Sequence, residues 1–146
     1  MRLSDVLHSK AARVVSLPPN ASVAEAASLM KREGVGAVVI RDDEQGLLGL
    51  VCERDLVLPI DAFGRQLFDR QVGSLMALDV PTASPADPIQ DVMRTMTERR
   101  ARHLPVVENG RVIGVVSIGD VMKSRLSEKI QENAVLQDLA RFRAPL

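Results

Sequence analysis

Gly49-Leu-Val-Cys-Glu-Arg-Asp55 and Gly114-Val-Val-Ser-Ile-Gly-Asp120 share one order of residue types: glycine, two apolar residues, a gap of three, then aspartate. An apolar run that opens on glycine and closes on a carboxylate reads as a strand handing over to a helix, because the helix dipole favours an acidic residue in the first turn. The same hand-over twice in one chain makes the chain a repeat. Both copies can then be read outward in register.

Upstream of each hand-over lies a second apolar run. Gly36-Ala-Val-Val-Ile40 precedes Leu47-Leu-Gly-Leu-Val51 across the polar turn 41–46, and His103-Leu-Pro-Val-Val107 precedes Val112-Ile-Gly-Val-Val116 across the polar turn 108–111. Turn-linked apolar runs of this length are hairpins. Each hairpin follows an amphipathic helix, with a stripe of Val23, Ala26, Ala27 and Met30 in one and Ile89, Val92, Met93 and Met96 in the other. Ser22-Val23-Ala24-Glu25 reads as a capping box, and Asp87-Pro88 as an N-cap followed by proline at the first helical position. The copies align with an offset of 66 residues at the opening helices (Ser22 against Pro88) and 65 at the strand ends (Asp55 against Asp120). One residue of turn length accounts for the difference.

The expected class is α/β (α+β), with residues 1–70 as the first repeat and its lead-in helix near residues 3–7, and residues 71–128 as the second, with its lead-in near 73–76. Residues 129–146 are a helical extension. The helix from Ser117 toward Phe142 carries Val121, Met122, Leu126, Ile130, Val135, Leu136 and Leu139 at irregular spacing. It either covers its own core or meets a second copy.

Composition narrows the function classes. Lys+Arg and Asp+Glu number 19 each, so no global basic field draws in nucleic acid. With no Trp, no Tyr and three Phe, the chain lacks platforms for stacking bases of a single strand. One cysteine, Cys52, excludes an intrachain disulfide and fits a reducing cytoplasm. The apolar runs are far shorter than the ~20 residues of a membrane span, and the polar first ten residues are no signal peptide. A soluble cytoplasmic protein is expected. His8 and His103 lack partners at metal-ligand spacing. No Gly-x-Ser-x-Gly elbow is present, and Ser117 has no His or Lys placed to activate it, so no enzyme is expected.

The paired strand ends, together with Arg102-His-Leu-Pro-Val-Val107 and Glu53-Arg-Asp55, resemble the cystathionine-β-synthase (CBS) domain family, in its bacterial stand-alone form. The resemblance covers nearly the whole chain. It implies two β-α-β-β-α repeats about a pseudo-twofold axis, the pairing called a Bateman module, with two equivalent clefts. In that family clefts hold AMP, ADP, ATP, S-adenosylmethionine or NAD-type molecules, and modules often pair into a homodimeric disk. A nucleotide-sensing role toward a separate regulated protein is therefore expected, with AMP as the leading ligand. The alternative is a structural dimerisation or interaction module whose clefts are vestigial.

Residue by residue, the resemblance puts Asp120, Ser117 and Val115 in one cleft with Val15, Val35 and Gly36. It puts Asp55, Arg54, Cys52 and Leu50 in the other with Pro81, Ala101, Arg102 and His103. A carboxylate can accept hydrogen bonds from both vicinal ribose hydroxyls, and N–H groups at a helix start suit a phosphate. Gly49 and Gly114 allow close approach by a base or a neighbouring backbone. The second cleft has the more cationic sequence, so the tighter phosphate contact is expected there. Two departures from the pattern stand out: Cys52, where a weakly donating thiol replaces the usual hydroxyl, and Gly119, which offers no hydroxyl beside Asp120.

Overall fold

A computed structural model describes residues 1–10, 13–44 and 46–143. The elements run α1 (Leu3–Ser9), β1 (Ser16–Leu17), α2 (Val23–Glu33), β2 (Ala37–Arg41), β3 (Leu47–Cys52), α3 (Glu53–Val57), α4 (Ile60–Phe63), α5 (Ile89–Glu98), β4 (His103–Glu108), β5 (Arg111–Ser117) and α6 (Ile118–Arg143). Two 3-10 turns, Gly64–Asp69 and Val72–Ser74, join α4 to the second repeat. The second of these stands where a lead-in helix was expected. The mixed class, the two repeats and the long terminal helix agree with the sequence reading.

The hairpins are copies down to their irregularity. Ile40 faces Gly49 in the first and Val106 faces Gly114 in the second; at the next step both ladders skip one residue, so that Arg41 faces Leu47 and Val107 faces Val112. The repeated glycine therefore occupies one register position in both copies. The second hairpin closes through Asn109-Gly110, with φ of 53° and 77°, the left-handed pair that a tight hairpin turn requires. β1 adds to β2 in parallel, Ser16 facing Val39, whereas its second-repeat counterpart is the single bridge Ala83 to Val106.

The capping box at Ser22 forms: its Oγ accepts the Glu25 N–H at 3.1 Å while Glu25 accepts the Ser22 N–H at 3.1 Å. The start of α5 differs from expectation. Pro88 itself takes the cap position, and Asp87 turns back to accept the Ser84 N–H at 2.8 Å. The Ile89 N–H is satisfied instead by the Met1 carbonyl at 3.2 Å.

That contact belongs to an exchange of lead-in segments. Leu3 and Val6 of α1 are buried in the core of the second repeat beside Ile89, Val92 and Val116, while Leu67 and Val72 are buried in the core of the first beside Ala26, Val38 and Val51. Backbone bonds repeat the pattern: Leu3 N–H donates to Asp87 at 2.9 Å and Ser4 N–H to Pro85 at 2.9 Å, as Val72 N–H does to Ala21 at 2.8 Å and Gly73 N–H to Pro19 at 2.9 Å. A third cluster of Ala37, Val39, Leu50 and Val112 joins the sheets face to face. Fully burying side chains of this size contributes roughly 1.5–3 kcal/mol each. Exposed ion pairs such as Arg94 with Asp91 contribute at most about 1 kcal/mol, so the three apolar clusters hold the fold.

α6 leaves the body. Val121 is its one buried residue among those described, and residues 129–143 are all exposed. The start of the helix packs on the second repeat through Val121, and residues 129–143 do not cover the core. Among the described residues, no helix is long and apolar enough to cross a membrane.

The helix ends also repeat. α2 stops at Gly34 with φ 65°, and Val35 N–H donates to Met30 at 3.1 Å; α5 stops at Arg100 with φ 51°, and Ala101 N–H donates to Met96 at 3.0 Å. Gly34 and Arg100 are 66 residues apart. An L-residue pays to sit in this left-handed region and glycine does not. Arg100→Gly is expected to raise stability by about 0.5–1 kcal/mol, read as a higher denaturant midpoint with an unchanged slope; a lower midpoint would contradict the shared-cap reading.

Candidate functional site

The first cleft forms where the end of α2 meets the end of β5. A cavity of about 420 Å³ opens between the two repeats, lined by Val15, Val35 and Gly36 of the first and by Val115, Ser117 and Asp120 of the second. The structure thus brings together all six residues assigned to this cleft. Its volume lies within the range of small-ligand pockets.

Local bonding fixes the acid. Asp120 sits in the first turn of α6 and its Oδ2 accepts the Ser117 N–H at 2.9 Å, while its own N–H donates to Ser117 Oγ at 3.1 Å. Asp55 does the equivalent in the first repeat, accepting the Cys52 N–H at 2.8 Å. Asp120 has one further partner. The Lys10 ammonium lies 2.7 Å from Oδ2 and also donates to the Val115 carbonyl at 2.9 Å. Partial burial pushes the Asp120 carboxyl up, but the bonds from Lys10 and Ser117 more than offset this and hold it below the ordinary carboxylate range.

Lys10, Arg13 and Glu33 line the cavity too, and sequence reading missed all three. Arg13 was accessible to it, since it precedes Val15 by two and alternate residues of an extended segment share a face. Lys10 was not, because its place depends on the exchange of lead-in segments. Arg13 is paired to Glu33.

Three expectations are corrected. His103, assigned to the second cleft, lines the first: its ring lies 3.5 Å from where a side chain on Gly36 would begin. Cationic side chains gather in the first cleft through Lys10 and Arg13, whereas Arg54 and Arg102 are exposed. Ser117 does have basic neighbours: it faces His103 across the ladder and shares the cavity with Lys10. Burial lowers the His103 pKa; Glu53 and Asp120 oppose this, and Lys10 and Arg102 add to it.

The residues assigned to the second cleft stand apart from this cavity. Leu50 is only 4% exposed and sits between the sheets. Its N–H and carbonyl are both bonded to Ala77, at 3.1 and 2.9 Å. A side chain on Gly49 would begin 2.7 Å from the Ala77 carbonyl and 2.6 Å from Met76 Sδ, so a neighbouring backbone takes the space that glycine leaves. Cys52, Asp55, Pro81 and Ala101 are half-buried, and none of them lines the cavity of the first cleft. An apolar groove of about 560 Å³ adjoins the first cleft at Val35 and Gly36 and runs along α2, α3 and α4, lined by Ala27, Leu56, Ile60 and Phe68. Among the described residues, no cluster of His, Cys, Asp or Glu has the arrangement of a metal site.

Two exchanged repeats with a polar cleft between them define a paired-repeat module. The chain belongs to the CBS domain family, whose model matches residues 3–60 and 72–127. It is 37% identical to the CBS-domain containing protein ATU1752 from Agrobacterium tumefaciens, with a TM-score of 0.81 over 86% of this chain and 99% of that one. Two more distant solved structures share the fold. CBSX2 in complex with AMP is 24% identical with a TM-score of 0.71, covering 88% of this chain and 98% of that one. The CBS domain pair of protein MJ0100 in complex with 5-methylthioadenosine and S-adenosyl-L-methionine is 22% identical with a TM-score of 0.75, over the same shares, 88% and 98%.

Cys52, in the second set of residues, carries a half-buried free thiol. Burial, then the charges of Asp55 and Glu53, push its thiol up to about 11. Scarcity of thiolate outweighs the greater nucleophilicity of a more basic sulfur. Alkylation by iodoacetamide at pH 8 is expected to run about tenfold slower than for free cysteine and to recover in urea; an equal rate in the folded protein would remove the buried-thiol assignment.

Proposed function

We propose that the chain is a regulatory module that binds an adenine nucleotide, AMP first among AMP, ADP, ATP and NAD(H), in the cleft holding Asp120, and that it acts on a separate partner protein. The observation that carries this reading is the cavity between the repeats with an ionised carboxylate in the first turn of α6. Asp120 takes the vicinal ribose hydroxyls, Val35 and Val115 flank the base, and Lys10, Arg13 and His103 face the phosphate. The AMP, methylthioadenosine and S-adenosylmethionine complexes of distant fold relatives support an adenosine compound as ligand. The ligand touches both repeats, so its binding free energy adds to their association. Ser117 serves as a helix cap here, and the module binds its ligand without turnover.

The second set, Leu50, Cys52, Arg54, Asp55, Pro81, Ala101 and Arg102, is the weaker site of the two on this reading. Its strand edge is already bonded to Ala77. AMP at millimolar concentration is expected to raise the melting temperature by a few degrees, and Asp120→Ala to abolish the rise while Asp55→Ala leaves most of it. No shift with AMP, ADP, ATP, NAD(H) or S-adenosylmethionine would remove the nucleotide reading.

α6 favours a second role, assembly with another copy. Leu126, Ile130, Val135, Leu136 and Leu139 are each more than half exposed on a helix of 26 residues. Apolar side chains in that number are normally covered. Removal of residues 127–146 is expected to convert a dimer to a monomer in light scattering, with the melting temperature of the body little changed; an unaltered mass would remove this role from α6.

A further inference from the structure

We infer that Lys10 selects the charge of the ligand in the Asp120 cleft, favouring an adenosine compound that carries its own phosphate over a neutral nucleoside or a cationic sulfonium. This deepens the proposed function and rests on it. The Lys10 ammonium bonds the Asp120 Oδ2 at 2.7 Å and the Val115 carbonyl at 2.9 Å, and so holds one of the two oxygens that a vicinal diol uses. A ribose that takes both oxygens displaces it.

The displaced ammonium then needs an anion. Glu33 is already paired to Arg13, and His103, an imidazole on the same wall, supplies no anion. Lys10 lies on the cavity wall with its side chain 36% exposed, on a flexible four-carbon stem. A phosphate on the ligand restores the lost charge-assisted bond inside the cleft. Adenosine leaves the ammonium to solvent, and S-adenosylmethionine adds a positive charge beside it. Lys10 therefore competes with every ribose but is compensated only by a phosphorylated one.

Titration calorimetry on the full chain at fixed salt tests this with AMP, adenosine and S-adenosylmethionine. Wild type is expected to bind AMP about tenfold more tightly than adenosine, with the gap closing as salt rises. Lys10→Met is expected to narrow the AMP-to-adenosine ratio to about twofold, the remainder coming from Arg13 and His103, with adenosine bound more tightly than by wild type because the competitor for Asp120 is gone. Lys10→Arg keeps the preference for AMP. An unchanged ratio in Lys10→Met, or tighter binding of S-adenosylmethionine than AMP by wild type, would overturn the role of Lys10 and leave the cleft standing. Binding of none of the three, or binding that survives Asp120→Ala, would overturn the cleft itself and Lys10 with it. The wild-type ratio and its salt dependence need no variant to fold.

Discussion

Each hairpin has two apolar faces, and one repeat can cover only one of them. Val38, Ile40 and Val51 point beneath the helices of the first repeat, while Ala37, Val39 and Leu50 point to the other side. Strands buried on both faces read as continuous apolar runs, as these do. The second face finds its cover in Val112 and Val115 of the other repeat. Neither repeat is therefore a free-standing unit, and the exchange of Leu3 and Val6 for Leu67 and Val72 fastens the pair from the opposite side. The cleft is the seam of this arrangement, the place where polar strand ends and helix starts keep the two apolar surfaces from closing.

Pseudo-symmetry makes the differences between the two sides informative. The 66-residue offset relates Lys10 to Met76, Arg13 to Asp79 and Glu33 to Arg99. Arg13 pairs with Glu33, and Asp79 lies 3.8 Å from Arg99. The same contact is kept with its charges exchanged. Such an exposed pair adds little to stability, but it gives the rims opposite polarity at one structural position. On the first side a lysine reaches the strand edge with an ammonium; on the second, Met76 packs against Gly49 and Ala77 bonds Leu50. One duplicated framework thus carries a polar cleft lined by Lys10 on one side and, on the other, a strand edge bonded to Ala77.

The repeat, the hairpins and the register of the motif glycine were legible because they are set by local periodicity and by two copies that check each other. The six residues of the first cleft were legible for the same reason, once the resemblance said that the cleft joins the strand end of one repeat to the helix end of the other. Asp87 misled because an N-cap signature describes what a residue can do, and the Met1 carbonyl reached Ile89 first. His103 was assigned to the other cleft because sequence gives a strand's position but not which cavity its first residue lines. Lys10 was invisible, since its position follows from α1 packing on the far repeat.

α6 ties the seam to the outside of the molecule. Ser117 and Asp120 define its first turn, the same turn that Lys10 holds from α1. A helix of 26 residues is about 39 Å long at 1.5 Å per residue. With only Val121 buried, little packing steadies its far half. A tilt of ~5° at the first turn moves the far end by ~3 Å, which is as large as the shifts that repack helix interfaces. On the proposed reading, sugar hydroxyls that replace the ammonium at Asp120 alter the bonding of this first turn, and the exposed apolar residues of α6 stand on the same helix.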